Sequence, residues 1–82
     1  MSIRKAIVST KGLIGNGRFL WAVSYSDNAN RRIAGKRIAL FAADNEDALK
    51  AAVRVYIEET QTFDKDWGWK SSYVLIGEFE KE

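Results

Sequence analysis

The sequence predicts a small α+β fold, a two-layer sandwich with one helix packed on one face of an antiparallel sheet, in the chain order β-β-β-α-β. Three stretches predict it. Arg18 to Phe41 holds two apolar runs joined by the turn residues Asp27-Asn28-Ala29-Asn30, which reads as a hairpin. Asp44 to Thr60 repeats its apolar residues at helical spacing. Ser71 to Glu80 returns to strand composition. Strands joined by short turns, with one helix inserted late, give an antiparallel sheet rather than repeated β-α units. With 82 residues, the chain forms a single domain, 1–82, with a modest core.

Taken in order, Ile3 to Thr10 reads as a first strand, β-branched and roughly alternating. The run Gly12-Leu-Ile-Gly15-Asn16-Gly17 follows, and Asn16-Gly17 signals a type I′ turn, because both of its central positions need positive φ. Three glycines also invite a phosphate-loop reading. No Lys-Ser or Lys-Thr follows them, and a strand rather than a helix comes next, so neither the P-loop nor the dinucleotide pattern fits. Gly12-Leu-Ile-Gly15 has the Gly-x-x-Gly shape of a KH clamp, but that clamp lies between helices.

Phe19 to Ser26 is the second strand. Its bulky set, Phe19, Trp21, Val23 and Tyr25, is assigned to the core, and Leu20, Ala22 and Ser24 to the other face. Arg31 to Ala42 is the third strand, interrupted at Gly35. Asp44 or Asn45 caps the helix, and Glu46 and Asp47 suit the positive end of its dipole. Ala48, Leu49, Ala52, Val53, Tyr56 and Ile57 form one apolar stripe wide enough to cover a sheet. Gln61 to Lys70 reads as a polar loop carrying Trp67-Gly68-Trp69. The last strand is apolar on both faces in its first half, as in a strand inside a sheet, and its tail Glu78 to Glu82 is expected to fray.

Composition excludes several chemistries. Without cysteine there is no disulfide, thiol nucleophile or zinc–thiolate site. Without histidine the commonest general base and transition-metal ligand is gone. The paired acids Glu46/Asp47 and Glu58/Glu59 are adjacent on the helix and point apart. Asp64-x-Asp66 opens like a calcium loop, but the EF-hand glycine and terminal glutamate are not in place. A non-enzymatic protein without cofactor or metal is expected. No apolar run approaches the ~20 residues that span a bilayer. No apolar stretch follows the charged start Met-Ser-Ile-Arg-Lys. The sequence therefore reads as that of a soluble, cytoplasmic protein with no membrane partner.

Charge is distributed unevenly. Residues 1–43 hold eight cations and one anion, a net +7, and residues 44–82 hold five cations and ten anions, a net −5. Such asymmetry points to an anionic partner, or to two halves that neutralise each other by packing. Four cations, Arg31, Arg32, Lys36 and Arg37, crowd around Gly35. They read either as solvated edge charges that keep a sheet edge from pairing, or as a basic ridge for phosphates or an acidic protein patch. Trp67 and Trp69 read either as caps on one end of the core or as binding anchors. The acids Asp64 and Asp66 beside them disfavour nucleic acid at that loop.

From Trp21 to Ala48 the chain resembles the AP2-like arm-DNA-binding domains at the start of phage-type integrases. The matching residues are Trp21, Val23, Tyr25 and Asp27, the basic strand Arg31 to Arg37, Phe41, and Asp47-Ala48. In that family a three-stranded sheet lies on DNA, so the resemblance implies DNA contacts by Arg31, Arg32, Lys36 and Arg37. This chain departs from the pattern. The spacing from Phe41 to the helix is one residue longer, Asp44 replaces the usual threonine cap, an extra strand follows the helix, and no catalytic domain is present. A small α+β chain without Cys, His or Pro also looks like phage accessory proteins that bind host machinery.

Two functions from different classes are therefore expected. The first is a protein-binding modulator or inhibitor that acts through the basic hairpin, the aromatic loop and a sheet edge, as a monomer or as a homodimer through that edge. The second is a nucleic-acid binder that uses the basic face of the three N-terminal strands.

Overall fold

A computed structural model of the chain describes residues 6–27, 36–60 and 68–81. It has one helix and a five-stranded mixed sheet: β1 Ala6–Val8, β2 Leu13–Ile14, β3 Phe19–Asp27, β4 Arg37–Ala43, α1 Glu46–Thr60 and β5 Trp69–Lys81. A 3₁₀ turn, Thr10–Gly12, links the first two strands. Across the sheet the order is β1-β5-β3-β4-β2. The α+β class stands, and the antiparallel expectation is corrected. β3 is antiparallel to both β4 and β5, but β1 runs parallel to β5 and β2 parallel to β4. The first strand therefore does not form a hairpin with the second. It joins the last strand, pairing Ala6 with Phe79 and Val8 with Lys81.

The core lies between the sheet and α1. Trp21, Val23 and Tyr25 of β3 face the helix as the alternation predicts, beside Phe41 and Ala43 of β4. Leu49, Val53 and Ile57 close the layer, each at most 3% exposed. Half-buried Ala52 and Tyr56 complete the helical stripe, while Ala48 is exposed. Aromatic rings meet edge to face: Tyr56 of the helix meets Phe41 of the sheet at 5.6 Å and Tyr25 at 6.0 Å, and within the sheet Trp21 meets Tyr73 at 5.9 Å. The indole of Trp21 donates to the Ala43 carbonyl at 3.1 Å, so its buried N–H is satisfied.

The helix cap is Asn45, whose side chain accepts from the Ala48 N–H at 2.8 Å. Asp44, the other candidate cap, does something else. Its carboxylate accepts from the Arg18 N–H at 2.9 Å and ties the start of β3 to the end of β4.

That tie marks an unusual crossing. β2 pairs with one side of β4 and β3 with the other, with Ile14 beside Phe41 and Phe19 beside Ala43. The chain between them therefore passes over the end of β4. The expected type I′ turn at Asn16-Gly17 is not present: positive φ falls at Gly15 (83°) and at neither Asn16 nor Gly17. Glycine at 17 has another reason. A Cβ there would lie 2.3 Å from the Ala43 Cα and 2.4 Å from its carbonyl carbon, inside the backbone of the strand being crossed.

Several predicted boundaries shift. β1 is short, because the 3₁₀ turn begins at Thr10. β4 starts at Arg37, and the expected earlier part of that strand, residues 31–35, lies outside the described residues. β5 begins at Trp69 rather than Ser71, because β3 extends to Asp27 and supplies a partner for Trp69. The tail does not fray before Lys81, because β1 pairs with it. A bulge also sits in β5: Trp21 faces Leu75 while Leu20 faces Gly77, leaving Ile76 as the extra residue. Gly77 takes φ 135° at this step, a region that favours glycine. The alternation expected across Tyr73, Leu75, Gly77 and Phe79 is therefore broken at its centre.

Candidate functional site

Lys36, Arg37 and Trp69 are the candidate residues within the described structure; Arg31, Arg32 and Trp67 lie outside it. The fold brings the three described residues to one end of the sheet. α1 follows β4 directly and packs Tyr56, near its C-terminus, against Tyr25, near the end of β3. At that end Arg37 pairs with Tyr25, Ser26 with Lys70, and Asp27 with Trp69. Lys36, one residue before β4 begins, is exposed, as are Arg37 and Lys70. Asp27, Lys36 and Gly68 also lie at this end, beside Trp69 and Arg37 of the paired strands.

Trp69 is not in a loop. It sits in β5, half-buried, and packs against the core cluster. Its ring closes the end of the core while part of it stays accessible. Arg37 lies in register with Tyr25 on the helix side of the sheet. Tyr25 is 5% exposed. Burial, and the hydrogen bond that its hydroxyl makes with Tyr56, push its pKa up to about 12 from 10.0, against the opposing pull of the Arg37 charge.

A phenol whose pKa is raised in the folded state is held neutral. Its contribution to stability is complete below pH 10 and is lost as pH rises through about 12. At pH 11.5 this loss amounts to about 2 kcal/mol. Denaturant unfolding should therefore show the stability gap between wild type and Tyr25→Phe shrinking by about that amount between about pH 9 and pH 11.5. A gap that stays constant over this range contradicts the assignment.

The opposite face of the sheet carries Ala22, Ser24 and Ser26 on β3, Ile38 and Leu40 on β4, and Lys70 of β5 opposite Ser26, while the β3–β4 register turns Arg37 toward the helix side with Tyr25. Ion pairs among the described residues include one between the halves. Arg18 of the basic half approaches Glu78 of the acidic half at 4.0 Å across exposed surface, while Arg54 pairs with Glu58 along the helix at 3.2 Å. Exposed pairs of this kind contribute at most ~1 kcal/mol each.

Sequence reasoning missed Lys70, which it placed in the loop. Its neighbourhood to Lys36 and Arg37 arises from strand pairing across more than thirty residues, which no local pattern records. Among the described residues, no three acidic side chains gather as metal ligands. No described helix is long and apolar enough to cross a membrane. Compared with models of protein families, with curated proteins and with solved structures, the chain matches none.

Proposed function

We propose that the chain is a non-enzymatic protein-binding module, a small modulator or inhibitor, that meets an acidic partner surface with the basic, aromatic end of its sheet. The convergence of Lys36, Arg37, Lys70 and half-buried Trp69 at one end carries this reading. Arg37 on the same side of the sheet as the partly accessible Trp69, with Lys70 on the other side, combines the charge that steers an encounter with the kind of side chain that anchors an interface. Arg31, Arg32 and Trp67 lie outside the described residues and stay candidates on the sequence alone.

The nucleic-acid reading has less support, since the middle of the sheet face it would use presents Ala22, Ser24, Ile38 and Leu40, and Lys70 lies at its end. The test begins with titration against duplex DNA and single-stranded RNA at about 50 and 200 mM salt, where phosphate contacts weaken steeply. No binding is expected. Salt-sensitive binding that disappears in Lys36→Ala/Arg37→Ala replaces the protein reading with the nucleic-acid one. Affinity capture from the native cells should then retain a protein whose binding falls about tenfold or more with Arg37→Ala/Trp69→Ala at unchanged circular dichroism.

A further inference from the structure

The sheet face away from α1 forms a trough. Its floor is β3, which presents Ala22, Ser24 and Ser26 there. One wall is β4, with Ile38 73% and Leu40 36% exposed, and the other is β5, with Val74 67% exposed. The register sets these residues in rows, Leu40–Ala22–Val74 and Ile38–Ser24–Ser72. Ser24 and Ser72 hydrogen-bond to each other at 2.8 Å, so these two hydroxyls are mutual partners within the floor and wall. Apolar walls over a floor of small residues, exposed to this degree on so small a protein, mark an interaction surface.

The dimensions and charge select an occupant. The walls stand two strand spacings apart, about 10 Å, which is about the diameter of a helix with its side chains. At one end lie Lys70, opposite Ser26, and Lys36, next in line beyond the Arg37–Tyr25 pair. We propose that this trough seats an amphipathic helix of a partner protein, with its apolar stripe on β3 and acidic residues over Lys36 and Lys70. This rests on the protein-binding reading above and names the element recognised. A helix C-terminus directed at the two lysines gains from the dipole as well. A second copy of the same face fits worse. Two sheets packed about 10 Å apart need bulky side chains between them, and here Ala22 and Ser24 would oppose small residues. Nucleic acid fits worse too, because the six residues of the two central rows include no aromatic side chain on which a base could stack.

The test uses the intact chain and a display library of amphipathic helical peptides about five turns long, half with Glu and half with Lys at the polar positions. Selected binders are expected from the Glu half. Amide shifts on binding should centre on Ala22, Ser24, Ile38, Leu40 and Val74. Ile38→Asp and Val74→Asp, both at exposed positions, should weaken the selected peptides about tenfold or more at unchanged circular dichroism. Lys36→Glu/Lys70→Glu should shift selection toward the Lys half. Binders drawn equally from both halves, shifts centred elsewhere, or affinity unchanged by Val74→Asp overturn the proposal, as does sedimentation showing this face closed by a second copy. A native partner lost with Arg37→Ala/Trp69→Ala but kept with Val74→Asp overturns the trough and leaves the protein-binding reading standing. A partner lost with Val74→Asp but kept with Arg37→Ala/Trp69→Ala supports the trough and removes the sheet end from that reading.

Discussion

Replacing Gly17 with alanine is expected to cost about 3 kcal/mol or more and to lower the melting midpoint by at least about 12 °C. The added methyl would fall 2.3–2.6 Å from three backbone atoms of Ala43. No side chain can rotate away from this contact, because the obstruction is the strand itself. Relief would require lifting the crossing segment off the end of β4. That motion strains the Arg18–Asp44 hydrogen bond on one side and the Ile14–Phe41 pairing on the other. Gly12→Ala is the matched control. A Cβ at Gly12 meets nothing within 4 Å, and removing a glycine there reduces the freedom of the unfolded chain, so a change within about 1 kcal/mol is expected. Thermal melts of the two variants decide the matter. Equal midpoints would mean that the chain does not cross β4 at this point.

Phe41→Ala is expected to cost about 3–5 kcal/mol, a large share of the stability available to a domain of this length, which at typical values is ~4–12 kcal/mol. Phe41 is fully buried, sits beside Trp21 in register and meets the Tyr56 ring edge to face at 5.6 Å. Its removal opens a cavity between β4 and α1, where neither the sheet nor the helix can close in without breaking the rest of the layer. Ile38→Ala, three residues earlier on the same strand, should stay within about 1 kcal/mol, because Ile38 is 73% exposed on the other face. Urea unfolding of both variants reads out which side of β4 is the core. Comparable losses would show that the helix does not cover the face assigned to it.

What could be read from the residues follows the range of the interaction that fixes each feature. The helix was legible because its capping residues, its acidic first turn and the stripe Leu49-Val53-Ile57 lie within fifteen residues of one another. The inward set Trp21, Val23 and Tyr25 was legible because alternation is local, but Leu20, read as part of the other face, is buried as well, at 4% exposed. Trp69 was misplaced because Trp-Gly-Trp resembles a loop until Asp27 is known to lie opposite it. The side of the sheet that Arg37 takes was not legible for a related reason: it is set by the register with β3, which turns Arg37 to the side of Tyr25.

By itself the sequence determined the α+β class, the single helix and its buried stripe, the inward side of β3, and a half-chain excess of positive charge. Tertiary structure alone decided the parallel pairs β1–β5 and β2–β4, the crossing that requires Gly17, the bulge at Ile76, and the meeting of Lys36, Arg37, Lys70 and Trp69 at one end. Hydrophobic periodicity states which way a side chain must point, but not which distant strand will lie beside it. That choice is made by closing loops of up to some seventy residues around one shared core, and its energy belongs to the assembled sheet rather than to any segment of the chain.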